Sequence, residues 1–148
     1  MNIYTTDKIR NVVLLGHGGS GKTSLAEAFG YLSGITSRMG KVDDGNTLSD
    51  YSKEEQKRHF SISTSVIPIE WEGYKINIID TPGYFDFVGE VEEAVSAAGA
   101  AIIVVNGKSG IEVGTQKAWE LCEKYKLPRF IYVSNMDVDN CLLYTSPS

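Results

Sequence analysis

The stretch Gly16-His17-Gly18-Gly19-Ser20-Gly21-Lys22-Thr23 constrains this chain more than any other, because both flanks dictate what the backbone does around it. It fits G-x-x-x-x-G-K-[ST]. An apolar run, Val12-Val13-Leu14-Leu15, leads into it as a buried strand would. After it, Leu25, Ala28, Phe29 and Leu32 fall at i, i+3, i+4 and i+7, the apolar stripe of a helix. A strand, a glycine-rich turn and a helix N-terminus aim several backbone N–H groups at one spot, where the helix dipole also favours an anion. The spacing predicts a phosphate cradle. Lys22 would neutralise the β- and γ-phosphates and the Thr23 hydroxyl would bind Mg²⁺, with Ser24 next to it among the binding residues.

With 148 residues the chain is expected to form one domain that buries about two-thirds of its unfolded surface. At 42% hydrophobic and 22% charged residues it reads as globular rather than disordered. The net charge of −5 argues against a dedicated nucleic-acid surface, since phosphate contacts need a basic face, and no direct DNA binding is expected. No apolar run reaches the length of a membrane span, so no membrane partner is expected. The start Met-Asn-Ile-Tyr-Thr-Thr-Asp-Lys lacks a signal-peptide pattern, and Cys122 and Cys141 form neither a metal spacing nor a disulfide framework. A reduced, cytoplasmic protein is the expectation.

Past the first helix, the polar stretch from Ile35 to Phe60 reads as a long loop, with Lys53-Glu54-Glu55-Gln56-Lys57-Arg58 as a solvated loop or short helix. Ser65 to Trp71 and Tyr74 to Ile79 are two strands joined by Glu72-Gly73, a hairpin. Pro68 cannot donate to a ladder, so the first strand belongs at an edge. Val88, Val91, Val95 and Ala98 mark an amphipathic helix, and Ala100 to Val105 a strand covered on both faces. Val113, Ala118, Leu121, Cys122 and Tyr125 suggest another helix, and Phe130-Ile131-Tyr132-Val133 another buried strand. Alternating strands and helices predict an α/β fold, a three-layer, doubly wound, mostly parallel sheet with one antiparallel edge strand. Such sheets bind ligands at the carboxyl ends of their strands, where every motif of this chain falls.

Asp80-Thr81-Pro82-Gly83 ends the second hairpin strand. A carboxylate there can hold Mg²⁺, directly or through water, and the Gly83 N–H can reach a γ-phosphate. Asp137 closes Tyr132-Val133-Ser134-Asn135-Met136-Asp137, again at a strand end. Its carboxylate can accept two hydrogen bonds from guanine N1–H and the exocyclic amine. Adenine lacks that donor pair and would leave the carboxylate unpaired.

With these three positions in order, the chain resembles the GTPase domain of translation factors, most closely elongation factor G and its relatives, from about Lys8 to about Asn140. The resemblance implies a P-loop NTPase domain, GTP and GDP binding with Mg²⁺, hydrolysis of GTP, and work on the ribosome through further domains of a longer parent. It identifies Gly16 to Thr23 as the P-loop and Asp80 to Gly83 as switch II. Arg58-His59-Phe60-Ser61-Ile62 stands where these factors carry Arg-Gly-Ile-Thr-Ile, so Ser61 would replace the switch I threonine that binds Mg²⁺. His17 lends its backbone to phosphate rather than serving as a catalyst.

Three departures qualify the likeness. Tyr84 stands where the family's histidine orients the attacking water. A phenol is a poor base near neutral pH, so slow intrinsic turnover is expected, leaning on P-loop and Mg²⁺ electrostatics. In the guanine motif Asn-Lys-x-Asp, Ser134 holds the asparagine position and Asn135 the lysine position, while Asp137 is retained. This implies weakened affinity with specificity kept. Gly19 replaces an acidic residue that assists a monovalent cation in many translation factors, so dependence on K⁺ is not expected.

Residues 1–140 therefore read as a C-terminally shortened, incomplete G domain. Cys141 to Ser148 read as a non-native tail resembling a translated adapter scar, with a natural divergent tail as the alternative. The rival functions are a GTP-dependent binding switch with little hydrolysis, a ribosome-protection factor, and an ATP-using P-loop enzyme. Trp71 and Trp119 are expected to be packing residues.

Overall fold

The computed structural model describes residues 3–41, 44, 46–48, 63–83 and 88–137. Tyr84, Ser61, the run Lys53–Arg58 and the tail 141–148 lie outside the described residues.

Strand β1 (Ile9–Gly16) runs into the glycine-rich turn and helix α1 (Lys22–Leu32). The hairpin β2 (Ser65–Trp71) and β3 (Tyr74–Asp80) follows, then helix α2 (Val88–Ala97), β4 (Ala100–Asn106), α3 (Val113–Lys124) and β5 (Arg129–Ser134). The sheet order is β2-β3-β1-β4-β5. Among the described strands only β2 with β3 is antiparallel; β3–β1, β1–β4 and β4–β5 are parallel. The hairpin turns through Glu72 (φ 47°) and Gly73 (φ 81°). Positive φ at both central positions is the geometry that matches strand twist. Pro68, opposite Asn77, sits on the edge strand as its missing donor requires.

Alternation along β1 divides the core between the two sheet faces. Val13 and Leu15 pack with Ile103, Val105, Ala94, Val95, Ala118 and Cys122 beneath α2 and α3. Leu14 packs with Ile67, Ile69, Ile78 and Ala26 beneath α1. Full burial of each valine, leucine or isoleucine among them contributes about 1.5–3 kcal/mol. The Cys122 thiol lies in this core, and burial pushes its pKa up, so it behaves as a small apolar group. No helix of the described residues is long and apolar enough to cross a membrane.

Four expectations about packing differ. On α1 the buried positions are Lys22, Ala26, Glu27 and Gly30, with Leu25 and Phe29 partly buried, while Leu32 is 68% exposed. The small residues Ala26 and Gly30 let the helix lie close to the sheet, and the last turn projects beyond it. Val88 and Val113, in first helical turns, are about half exposed. Strand β5 is not buried: Phe130, Ile131 and Tyr132 are exposed, because β4 is its sole strand neighbour among the described residues. Neither tryptophan is a core residue. Trp71 lies half exposed on the edge strand, and Trp119 carries the Arg129 guanidinium 3.8 Å above its ring.

Candidate functional site

The carboxyl ends of β1, β3 and β5 meet at the N-terminus of α1. Gly21 caps that helix with φ 97°, a left-handed conformation that glycine adopts without steric cost. The turn folds back on itself, with the Ser20 N–H donating to the His17 carbonyl at 3.2 Å. Lys22 begins the helix and is only 5% exposed. Its Nζ donates to the carbonyls of His17 (2.8 Å) and Gly16 (3.2 Å), so the ammonium spans the loop. Burial lowers the Lys22 pKa from 10.5 to about 8, partly opposed by the Asp80 carboxylate. A cation held at that cost, ringed by a turn of backbone amides, is arranged to receive a polyanion.

Asp80 reaches the same place through the sheet. The β1–β3 register sets it beside Leu14, and the Thr81 hydroxyl bolts the two strands together by donating to the Leu14 carbonyl at 2.6 Å. The buried Asp80 Oδ2 accepts a 2.7 Å hydrogen bond from Thr23 Oγ1. A hydroxyl and a carboxylate so paired are hard oxygen donors of the kind Mg²⁺ takes alongside phosphate and water. Three residues on, Gly83 lies against the loop. A Cβ there would stand 2.5 Å from Lys22 Nζ and 2.6 Å from Gly18 Cα, so only glycine brings this backbone to the cradle. The Ser20 hydroxyl is 1% exposed and has no hydrogen-bond partner among the described residues. Leaving it so is costly, and a bound phosphate or its water would satisfy it. On these three counts the residues fit a nucleotide phosphate with Mg²⁺.

Strand β5 brings Ser134 to the same rim. Its hydroxyl donates to the Ser20 carbonyl at 2.7 Å and approaches the Val105 carbonyl at 3.3 Å, tying β5 to the cradle. Asn135 then turns the chain with φ 54°, and Asp137 is exposed on the turn beyond it. Removing the tie with Ser134→Ala is expected to weaken GDP and GTP binding alike, by about fivefold, the scale of one neutral hydrogen bond. Equilibrium titration with fluorescent nucleotides measures it.

The structure thus gathers Gly16 to Thr23, Asp80, Gly83 and Ser134 at one point, with Asn135 and Asp137 on the adjoining turn. The Ser24 side chain is exposed on the first turn of α1. The His17 ring faces away, toward the start of α3. Its Nδ1 accepts from the Gly114 N–H at 3.3 Å, and its Nε2 lies 3.7 Å from Glu112 Oε1. Glu112 caps α3 through a capping box with Thr115. That box reverses the usual order, with the acid at the N-cap and the hydroxyl at N3, so the standard S/T-x-x-E/Q signature does not mark it. Sequence reasoning also missed Glu27, a fully buried carboxylate on α1. An acid in an amphipathic helix ordinarily faces water, so no local signal marks it.

The family model described as the elongation factor Tu GTP binding domain matches residues 7–144. A mitochondrial ribosome-releasing factor 2 from Drosophila ananassae is 39% identical over 132 residues, 89% of this chain and 18% of that protein. Elongation factor G 2 of Borreliella afzelii is 40% identical over 129 residues, 87% of this chain and 19% of its own length. The chain therefore spans about a fifth of the length of these curated relatives. A crystal structure of a Thermus thermophilus protein superposes with TM-score 0.83 at 43% identity, over 85% of this chain and 19% of that one. A bacterial selenocysteine-specific elongation factor shares the fold, with TM-score 0.74 at 24% identity over 93% of this chain and 22% of its own.

Proposed function

Because the chain belongs to the elongation factor Tu GTP-binding domain family, that of the translation elongation factor GTPases, we propose that it binds GTP and GDP with Mg²⁺ and hydrolyses GTP, as part of a longer factor working on the ribosome. The observation that carries this reading is the convergence of Lys22 Nζ, the Gly18 backbone and Gly83 on one point beside the Thr23–Asp80 pair.

In this reading the P-loop amides and Lys22 hold the phosphates, Gly83 addresses the terminal one, and Asp137 selects guanine. Thr23 and Asp80 would hold Mg²⁺, which when bound neutralises charge developing on the phosphate oxygens. Phosphoryl transfer depends mainly on such positioning and electrostatics. The chain's contribution is therefore a rigid, pre-aimed cradle with its cation already desolvated. The family resemblance adds Ser61 to the metal-binding residues and Tyr84 to the border of the attacking water.

Competition for fluorescent GDP by GTP and by ATP tests the reading. Displacement by guanine nucleotides alone supports it, and displacement by ATP at similar concentrations overturns the guanine assignment. Asp137→Ala is expected to cut the preference for GTP over ATP by at least about tenfold, since a carboxylate accepting two base hydrogen bonds contributes more than a neutral pair. Tyr84 favours a second reading, a switch that changes state on GTP but scarcely hydrolyses it. Single-turnover hydrolysis with and without ribosomes separates the two.

A further inference from the structure

Glu27 is 1% exposed, yet it is a carboxylate. It lies one helical turn beyond Thr23 on α1, at i+4 and so on the same side of the helix. Its partners are two backbone amides from the loop that follows α1. The Gly40 N–H donates to Oε2 at 3.1 Å, and the Leu48 N–H donates to Oε1. One carboxylate therefore grips both ends of the nine-residue stretch from Gly40 to Leu48.

The described residues between those ends support that grip. The Lys41 N–H donates to Asn46 Oδ1 at 2.8 Å, bracing the interior. A Cβ on Gly40 would stand 2.6 Å from the Asn46 carbonyl oxygen and 2.7 Å from Glu27 Oε2, so the chain has no room there for any other residue. The Leu48 side chain packs into the α1 core, and a Cβ on Gly30 would come within 2.8 Å of it. A buried carboxylate is expensive unless its lone pairs are filled. One main-chain donor on each oxygen offsets that cost, and both hydrogen bonds are of the stronger, charge-assisted kind.

We propose that Glu27 is a positioning residue that fastens the 40–48 loop to the helix carrying Thr23, so that loop order and triphosphate binding support one another. The proposal rests on the functional reading above, which puts Thr23 on the metal side of the nucleotide. A loop fastened before nucleotide arrives lowers the ordering cost that binding would otherwise carry. That advantage falls to the nucleotide with the larger metal-held phosphate group. GTP affinity should therefore depend on Glu27 more than GDP affinity does.

The test uses the full chain with Glu27→Gln, which places an amide N–H₂ against one of the two backbone donors. The GTP-to-GDP affinity ratio should fall about tenfold, and the Gly40 and Leu48 amides should lose hydrogen-exchange protection even without nucleotide. Gly40→Ala attacks the same contact from the loop side and should give a similar fall, with no further loss in the double variant. If Glu27→Gln weakens both nucleotides equally, or Gly40→Ala leaves the ratio unchanged, the coupling is overturned and Glu27 is merely structural. If the wild type binds no guanine nucleotide, the functional reading fails and the coupling with it. Exchange at the two amides would still report whether the clamp itself exists.

Discussion

Lys22→Met is expected to weaken guanine-nucleotide binding at least about 100-fold while leaving the fold intact. The loss follows from removing a charge-assisted donor from a site where its desolvation is already complete. Stability is spared because the substitution also removes a buried ammonium, a group whose burial is unfavourable. Calorimetric titration paired with thermal unfolding separates the two effects. A variant that unfolds at markedly lower temperature would show that the ammonium stabilises the loop rather than awaiting a ligand.

The lowered Lys22 pKa gives this residue opposite signatures in two pH experiments. Binding a polyphosphate needs the ammonium. In the nucleotide-free protein that form is halved near pH 8 and about a tenth near pH 9, so wild-type affinity should fall about tenfold per unit above pH 8. Folding responds the other way. Between pH 8 and 10.5 the unfolded chain binds more protons at this residue than the folded chain does, so its contribution to stability rises with pH, by up to about 1.4 kcal/mol per unit. Subtracting the Lys22→Met profile isolates both slopes. Nucleotide affinity flat from pH 7 to 9.5 would contradict a titrating Lys22 at the phosphates.

Gly83→Ala carries the second large expectation. The added methyl meets Lys22 Nζ at 2.5 Å and the Gly18 Cα and N at 2.6 and 2.7 Å. The lysine tip can swing aside, but the Gly18 backbone moves only by reshaping the cradle, at a cost of about 2 kcal/mol. Affinity for a non-hydrolysable GTP analogue should fall about thirtyfold and affinity for GDP by less, because pushing the Gly83 backbone off the loop costs GTP alone its terminal-phosphate N–H. Equal losses for the two nucleotides would remove Gly83 from the terminal-phosphate role.

Features that depend on local backbone demands were legible in the chain itself. The Glu72-Gly73 turn needs positive φ, Pro68 cannot donate, and the run from Ala100 to Val105 has no polar side to turn to water. Those constraints are local, and hairpin, edge and central strand follow from them. The strand–turn–helix around Gly16 to Thr23 is legible for the same reason, and parallel order then brings Asp80 and Ser134 to its rim. Contacts between distant residues are less legible. Nothing near His17 shows that its ring turns to Gly114, and nothing near Glu27 shows that two amides beyond Ile35 will bury it. The α1 stripe differs in phase from its periodicity for a related reason. Periodicity weights large apolar residues, whereas close approach to the sheet is made by Ala26 and Gly30. The exposure of β5 depends on what lies beside it, which its composition cannot express.

The strand order also sets a timetable. β1 is made first, yet it pairs with β3 and β4 and with nothing earlier, so it waits for partners about 65 and 90 residues downstream. At a synthesis rate of about 5–20 residues per second, its second neighbour leaves the ribosome roughly 5–20 s after β1 itself. The β2–β3 hairpin, closed by a two-residue turn, forms on its own within microseconds and is a ready template for β1. Ser134 arrives last and ties the cradle from the opposite side. The loop translated first is thus completed last, and during that interval any nucleotide meets a cradle that still lacks its Ser134 tie.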